Sequence, residues 1–97
     1  MECHLGTLHL RIRVEHSRSL KDKRQVFRSL KDRVRRRHNA SLAEVAGHDS
    51  RRYGEIVVAT VSSSPSRAAE VLERVRRDAL SALGPSLLDA DADIFPL

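Results

Sequence analysis

From Leu8 to Glu15 apolar and polar residues alternate without a break, Leu8, Leu10, Ile12 and Val14 against His9, Arg11, Arg13 and Glu15. Successive side chains of a strand point to opposite faces, so this segment reads as a strand with one buried and one wetted face. Beyond Ser19 the period changes. Taking Leu20 as zero and advancing about 100° per residue, Leu20, Val26, Phe27, Leu30 and Val34 fall within an arc of roughly 120°, the pattern of an amphipathic helix. Ser19 stands where an N-cap is needed, and Asp22, three residues on, suits the positive helix end. The helix is expected to end near Asn39. An apolar strand face followed at once by an apolar helix face has one economical solution, the helix packed on the strand.

The rest of the chain repeats this logic. Residues 40–46, ASLAEVA, read as a second strand, and the polar loop GHDSRR follows with Gly47, Arg51 and Arg52. YGEIVVATVSS is a β-branched strand, with Ile56 and Val58 on one face and Val57, Ala59 and Val61 on the other, so both faces call for cover. A second helix opens with Ser64 as N-cap and Pro65 at its first position and closes at Gly84 and Pro85. Ala68, Val71, Leu72, Val75, Ala79 and Leu83 form its core stripe. SLLDADADIF then alternates Leu88, Ala90, Ala92 and Ile94 with Asp89, Asp91 and Asp93.

The order β-α-β-β-α-β predicts an α+β fold of the ferredoxin-like, split βαβ kind, with two helices on one face of a four-stranded antiparallel sheet. Residues 1–97 fit one domain. With 40% hydrophobic residues, three aromatics and no Trp, its core has to be aliphatic. The topology sets the last strand beside the first, where Asp89, Asp91 and Asp93 are expected opposite His9, Arg11 and Arg13 as a ladder of opposite charges. Cys3 is the only cysteine, which excludes an intrachain disulfide. With no run of about 18 apolar residues and no signal-peptide order at the N-terminus, the chain reads as cytoplasmic and not associated with a membrane.

The charge is concentrated. Between Ser17 and His38 ten Lys or Arg face only Asp22 and Asp32, a local balance of +8, so the remainder totals −3 of the net +5. Within this segment SLKD occurs twice, at 19–22 and 29–32. Ten residues turn a helix by roughly 280°, so the two copies do not share a face and are not a tandem site. Lys21, Arg24, Arg28, Lys31 and Arg35 do share one. They lie between roughly 20° and 100° on the same wheel, a stripe about 20 Å long beside the apolar face. Such spacing can neutralise successive phosphates and release counterions without reading bases. Arg51, Arg52 and Tyr53 are candidates to join it. Arg28 to Asp32 has the spacing of an ion pair, but most of the segment's charges have no such partner, whereas Glu70–Arg74 and Glu73–Arg77 partly neutralise the second helix. Lys23 and Arg37 fall inside the first helix's apolar arc and are expected to snorkel along the core edge.

Catalytic signals are weak. His48-Asp49-Ser50 has the letters of a triad but reads as turn chemistry, because triads are defined by convergence and not adjacency. Cys3-His4 and the scattered His9, His16 and His38 lack zinc spacing, and no phosphate-cradling glycine motif is present, so no metal, cofactor or enzymatic activity is expected. The aspartates of the last strand read as a salt-bridge ladder in preference to a cation site. Sheet-face RNA binding needs aromatics on the central strands, and these offer His9, Arg11 and aliphatics. The function indicated is a non-enzymatic factor bound to structured RNA through the first helix. The alternative is a homodimeric protein-interaction module that uses the open sheet face and has no affinity for nucleic acid.

Ser19-Leu20-Lys21-Asp22-Lys23-Arg24, then Ser29-Leu30, a basic helix end, Ala43-Glu44-Val45 and the β-branched run 56–61 resemble the YlxP-like family of small bacterial proteins of unknown function. The resemblance spans nearly the whole chain and is strongest over 17–45. It implies a ferredoxin-like fold and no established activity. Genes of that family commonly lie beside those for ribosome-binding factor A and a translation initiation factor, which implies work on or near the ribosome. Where the family tends to carry an aromatic or apolar residue between the second and third strands, this chain has His48-Asp49-Ser50-Arg51-Arg52, with Tyr53 the only ring.

Overall fold

The structure is a computed structural model that describes residues 1–97. Its elements follow the expected order: β1 (His4–Arg13), α1 (Leu20–Arg37), β2 (Ser41–Ala46), β3 (Tyr53–Ser62), α2 (Pro65–Leu83) and β4 (Leu87–Pro96), with a 3-10 turn at Gly84–Ser86 before β4. The sheet is antiparallel in the order β2-β3-β1-β4. This is the ferredoxin-like α+β fold, with the crossovers placing α1 and α2 on one face.

The caps fall where the sequence puts them. Ser19 Oγ accepts from Asp22 N at 3.1 Å, and the Asp22 carboxylate accepts from Arg18 N at 3.1 Å. Ser64 Oγ accepts from Arg67 N at 3.3 Å, with Pro65 at the first helical position. α1 ends at Arg37 and not Asn39, because His38 already has extended geometry while its N–H closes on Val34 O.

The core is aliphatic apart from one ring. Leu8, Leu10 and Ile12 from β1 with Val14 just after it, Ile56 and Val58 from β3, Phe27, Leu30 and Val34 from α1, and Leu72, Val75 and Ala79 from α2 form one cluster. The other face of β3 has no cover: Val57 and Ala59 lie half-buried on the open sheet, and Val61 is exposed. β4 departs from simple alternation. Arg11 pairs with Asp89 but Ile12 pairs with Leu87, so Leu88 is the extra residue of a bulge. Leu87 therefore packs on the core, and Leu88, expected inside, is exposed.

Lys23 does not snorkel. Its side chain is 1% exposed, and its ammonium donates to Gly47 O at 2.5 Å and Tyr53 O at 2.9 Å, lies 3.3 Å from Glu44 Oε2 and sits 5.1 Å from the Phe27 ring centroid. Those two carbonyls bracket the β2–β3 loop. Two glycines make the arrangement possible. Gly47 has φ 81°, a conformation that favours glycine, and a Cβ on Gly54 would lie 2.5 Å from Phe27 Cε2. Replacing Lys23 with Met keeps the aliphatic stem but strands the two carbonyls and Glu44 without the charge they face. The substitution should cost roughly 2–4 kcal/mol in urea unfolding, and a loss below about 0.5 kcal/mol would show that the buried ammonium contributes nothing net.

Candidate nucleic-acid interface

α1 has three flanks with three electrostatic characters. The first is apolar and faces the sheet. The second meets α2, where Asp78 gathers three groups: Arg37 at 3.0 Å and Arg33 at 3.3 Å from Oδ1, and the His38 ring at 2.7 Å from Oδ2. Arg37 is thus an ion-pair partner across the helices and not a residue snorkelling on the core. Asp78 is 14% exposed. Burial pushes its carboxyl up, but the hydrogen bond to His38 and the charges of Arg37, Arg33 and His38 outweigh that, and the group sits below its usual value of 3.8.

The third flank carries Lys21, Arg24, Arg28, Lys31 and Arg35. Lys31 is half-buried and the other four are exposed. None of the five reaches a carboxylate within ion-pair distance, and the expected Arg28–Asp32 pair is not made. The arginines in the middle of α2 are treated differently. Arg74 meets Glu70 at 2.5 Å, while Arg76 and Arg77 meet Glu73 at 2.7 and 3.2 Å, and the Glu73 carboxyl is held down to about 2 chiefly by its hydrogen bond to Arg76. Three of the four arginines of α2 are thus compensated within their own helix, and the outer flank of α1 is not.

The β2–β3 loop is tied to the segment that leads into α1. Ser17, buried just ahead of α1, donates to Arg51 O at 2.7 Å, and Arg52 Nε donates to Ser17 O at 3.2 Å. Arg51 and Arg52 thus lie beside the residues that precede α1. Tyr53 turns elsewhere, onto the open sheet face. There, hydrogen bonding to Tyr53 and then to His9 holds the Glu55 carboxyl below its ordinary value, against the effect of burial. Within His48-Asp49-Ser50, Ser50 Oγ accepts from Arg52 N at 3.3 Å and Tyr53 N at 2.9 Å, which is turn chemistry.

The expected charge ladder is present with a shifted register. Arg11 donates to Asp89 at 2.8 Å and Asp91 at 3.0 Å, but Asp93 faces Thr7, His9 turns to Glu55 at 2.5 Å, and Arg13 bonds Glu15 at 2.6 Å. Further along the same face Val61, Leu5 and Phe95 stand in one row across β3, β1 and β4. No helix is long and apolar enough to cross a membrane.

A four-stranded antiparallel sheet, two helices on one side and an uncompensated cationic flank on the outer side of the first helix define a basic ferredoxin-like protein. The chain belongs to the family described as "Protein of unknown function (DUF503)", whose model matches residues 5–91. Comparison with curated proteins finds no match. Among solved structures, the chain is similar to a dimeric ferredoxin-like protein of unknown function from Thermobifida fusca YX, with 20% identity, 100% of this chain and 93% of that one covered, and a TM-score of 0.56. The de novo designed protein Foldit4 matches at 12% identity over 99% and 97% of the two chains with a TM-score of 0.55. A mutant form of SnoaB, a cofactor-independent oxygenase from Streptomyces nogalater, matches at 9% identity over 98% and 92% with a TM-score of 0.50. At these identities the similarity is one of fold.

The Asp78 cluster generates a pH prediction. A carboxyl whose folded pKa lies below its unfolded value contributes stability above that unfolded value and loses it as pH falls through the folded pKa. Asp78→Asn should therefore cost roughly 1–3 kcal/mol at neutral pH, and the gap to the wild type should close progressively below about pH 3.8. Urea unfolding of both proteins from neutral to acidic pH measures it, and a gap that stays constant with pH would refute the assignment.

Proposed function

We propose that this protein is a non-enzymatic accessory factor that binds structured RNA, ribosomal RNA included, through phosphate contacts of α1. One observation carries the reading. The molecule pairs Arg11, Arg13, Arg33, Arg37, Arg74, Arg76 and Arg77 with carboxylates, yet leaves Lys21, Arg24, Arg28, Lys31 and Arg35 together without any. Side chains about 20 Å along one helix flank can follow a phosphate backbone, and releasing its counterions supplies the affinity. The resemblance to the YlxP-like family, with its translational gene neighbours, supports the ribosome as the place where such RNA is met.

The test is a salt series with ribosomal subunits and an unrelated duplex RNA. If all five cations contact phosphates, the logarithm of the binding constant should fall against the logarithm of salt with a slope of about −4 to −5. Changing Lys21, Arg24, Arg28, Lys31 and Arg35 to Gln should flatten that slope and remove binding while leaving the fold intact. Absence of binding at low salt, or equal binding by the variant, would sink the proposal.

A second reading draws on the row Val61–Leu5–Phe95, in which Val61 is 55% and Phe95 45% exposed on the open face. It makes that face a homodimer interface, an arrangement compatible with RNA binding because α1 lies on the opposite side of the sheet. Sedimentation should show a dimer that Phe95→Lys dissociates to monomer; a wild-type monomer at high concentration would rule this out.

A further inference from the structure

The β2–β3 loop forms a recess of about 210 Å³ lined by Arg13, Ser50, Arg51 and Arg52. Three of its four lining residues are arginines, and the fourth is a serine. The volume is on the order of seven waters' worth, room for a tetrahedral anion with part of its hydration shell. Arg51 takes part in no ion pair and Arg52 binds only the Ser17 carbonyl, so both keep donors free. Arg13 Nε is engaged by Glu15 at 2.6 Å, a contact whose carboxylate is 70% exposed. Asp49, the one acid of the loop, is exposed and pairs with no cation.

The loop's backbone is held in place around this recess. Val14 N donates to Arg52 O at 2.8 Å, Ser17 Oγ to Arg51 O, Ser50 N to Gly47 O at 3.0 Å, and the buried Lys23 ammonium to Gly47 O and Tyr53 O. A loop tied from Val14 and Ser17, between β1 and α1, and from within α1 itself presents its arginines at low further entropic cost, the condition under which planar forked donors bind a phosphate well.

We propose that Arg51, Arg52 and Arg13, with Ser50, form a binding site for a phosphate dianion, either inorganic phosphate or the terminal phosphomonoester of a nucleic acid strand. Such a group carries close to two charges at neutral pH and three acceptor oxygens, which matches three forks better than the singly charged diester of a chain interior. The proposal deepens the phosphate reading of α1 and rests on it only for the nucleic-acid source of the ligand.

The experiment follows the amide and arginine side-chain N–H resonances of labelled protein while sodium phosphate replaces sodium chloride at constant ionic strength. Wild type should show saturable shifts confined to the 50–53 segment and Arg13, and Arg51→Gln/Arg52→Gln should weaken phosphate binding about tenfold or more. Arg51→Gln alone, which touches no main-chain bond of the loop, serves should the double variant unfold. The variant with all five stripe residues changed to Gln should keep these shifts even if it loses duplex RNA, which separates failure of the stripe from failure of the recess. Two single-stranded oligoribonucleotides, one ending in a phosphate and one in a hydroxyl, then identify the source. A preference for the phosphorylated strand, lost in Arg51→Gln, assigns the site to strand ends, and equal binding of the two beside saturable phosphate shifts assigns it to the free dianion. Identical shifts with phosphate and chloride, or undiminished phosphate binding by Arg51→Gln/Arg52→Gln, would overturn the proposal.

Discussion

The buried Lys23 ammonium joins three parts of the molecule: the first turn of α1, the carboxylate of Glu44 on β2, and both ends of the β2–β3 loop. A charge taken out of water is tolerated only when its donors are satisfied and a counter-charge is near, and here two carbonyls and Glu44 meet that demand. The consequence reaches beyond stability. A flexible loop at Gly47–Arg52 would place Arg51 and Arg52 anywhere over the start of α1, whereas a loop clamped at Gly47 and Tyr53 offers them at fixed positions. Gly54 belongs to the same device, since only a residue without a side chain lets Phe27 lie against β3 beneath the ammonium.

The charges divide along the same architecture. Where helices meet, the chain supplies Asp78 for Arg33, Arg37 and His38; where β1 meets β4, it supplies Asp89 and Asp91 for Arg11. In each place the acid lies on an element distant in sequence, so the fold does the matching. On the outer flank of α1 no carboxylate comes within ion-pair distance of the five cations. Repulsion among cations that sit one turn apart opposes helix formation by a few tenths of a kcal/mol for each pair, a modest cost that an anionic partner would reverse. Arg33 and Arg37, engaged with Asp78 of α2, cannot serve that partner without giving up the helix–helix contact.

Much of this was legible in the sequence, because the informative patterns were local. The period-two run from Leu8, the caps at Ser19 and Ser64 and the Pro65 and Gly84 boundaries each specify their own element, and the order of elements then specifies the topology. The cationic stripe was legible for the same reason, as a wheel argument needs only the helix. What sequence reading missed were matches between distant segments. Lys23 lies near the centre of the apolar arc, a sign of burial, but the carbonyls that satisfy it are 24 and 30 residues away. Asp78 stands between the core residues Val75 and Ala79, a carboxylate at a core edge that calls for a cross-helix partner, yet nothing local names Arg33. The bulge at Leu88 shifts β4 by one residue, and alternation alone reads straight through it.

The two surfaces left open are chemically opposite and lie on opposite sides of one sheet. The helix side ends in a cationic flank, while the strand side grades from the charged cluster of Arg11, Glu55, Asp89 and Asp91 to the apolar row of Val61, Leu5 and Phe95. A polyanion would be attracted to the first more than to the second, where Arg11 already faces Glu55, Asp89 and Asp91. Desolvation favours a protein surface on the second, because Val61 and Phe95 return free energy only when water leaves them. Separation of this kind lets the open face be covered without hiding α1. A second copy seated there would carry its own α1 outward, giving the pair two cationic flanks joined through one rigid core, and a partner long enough to reach both would be held more tightly than either flank alone could hold it.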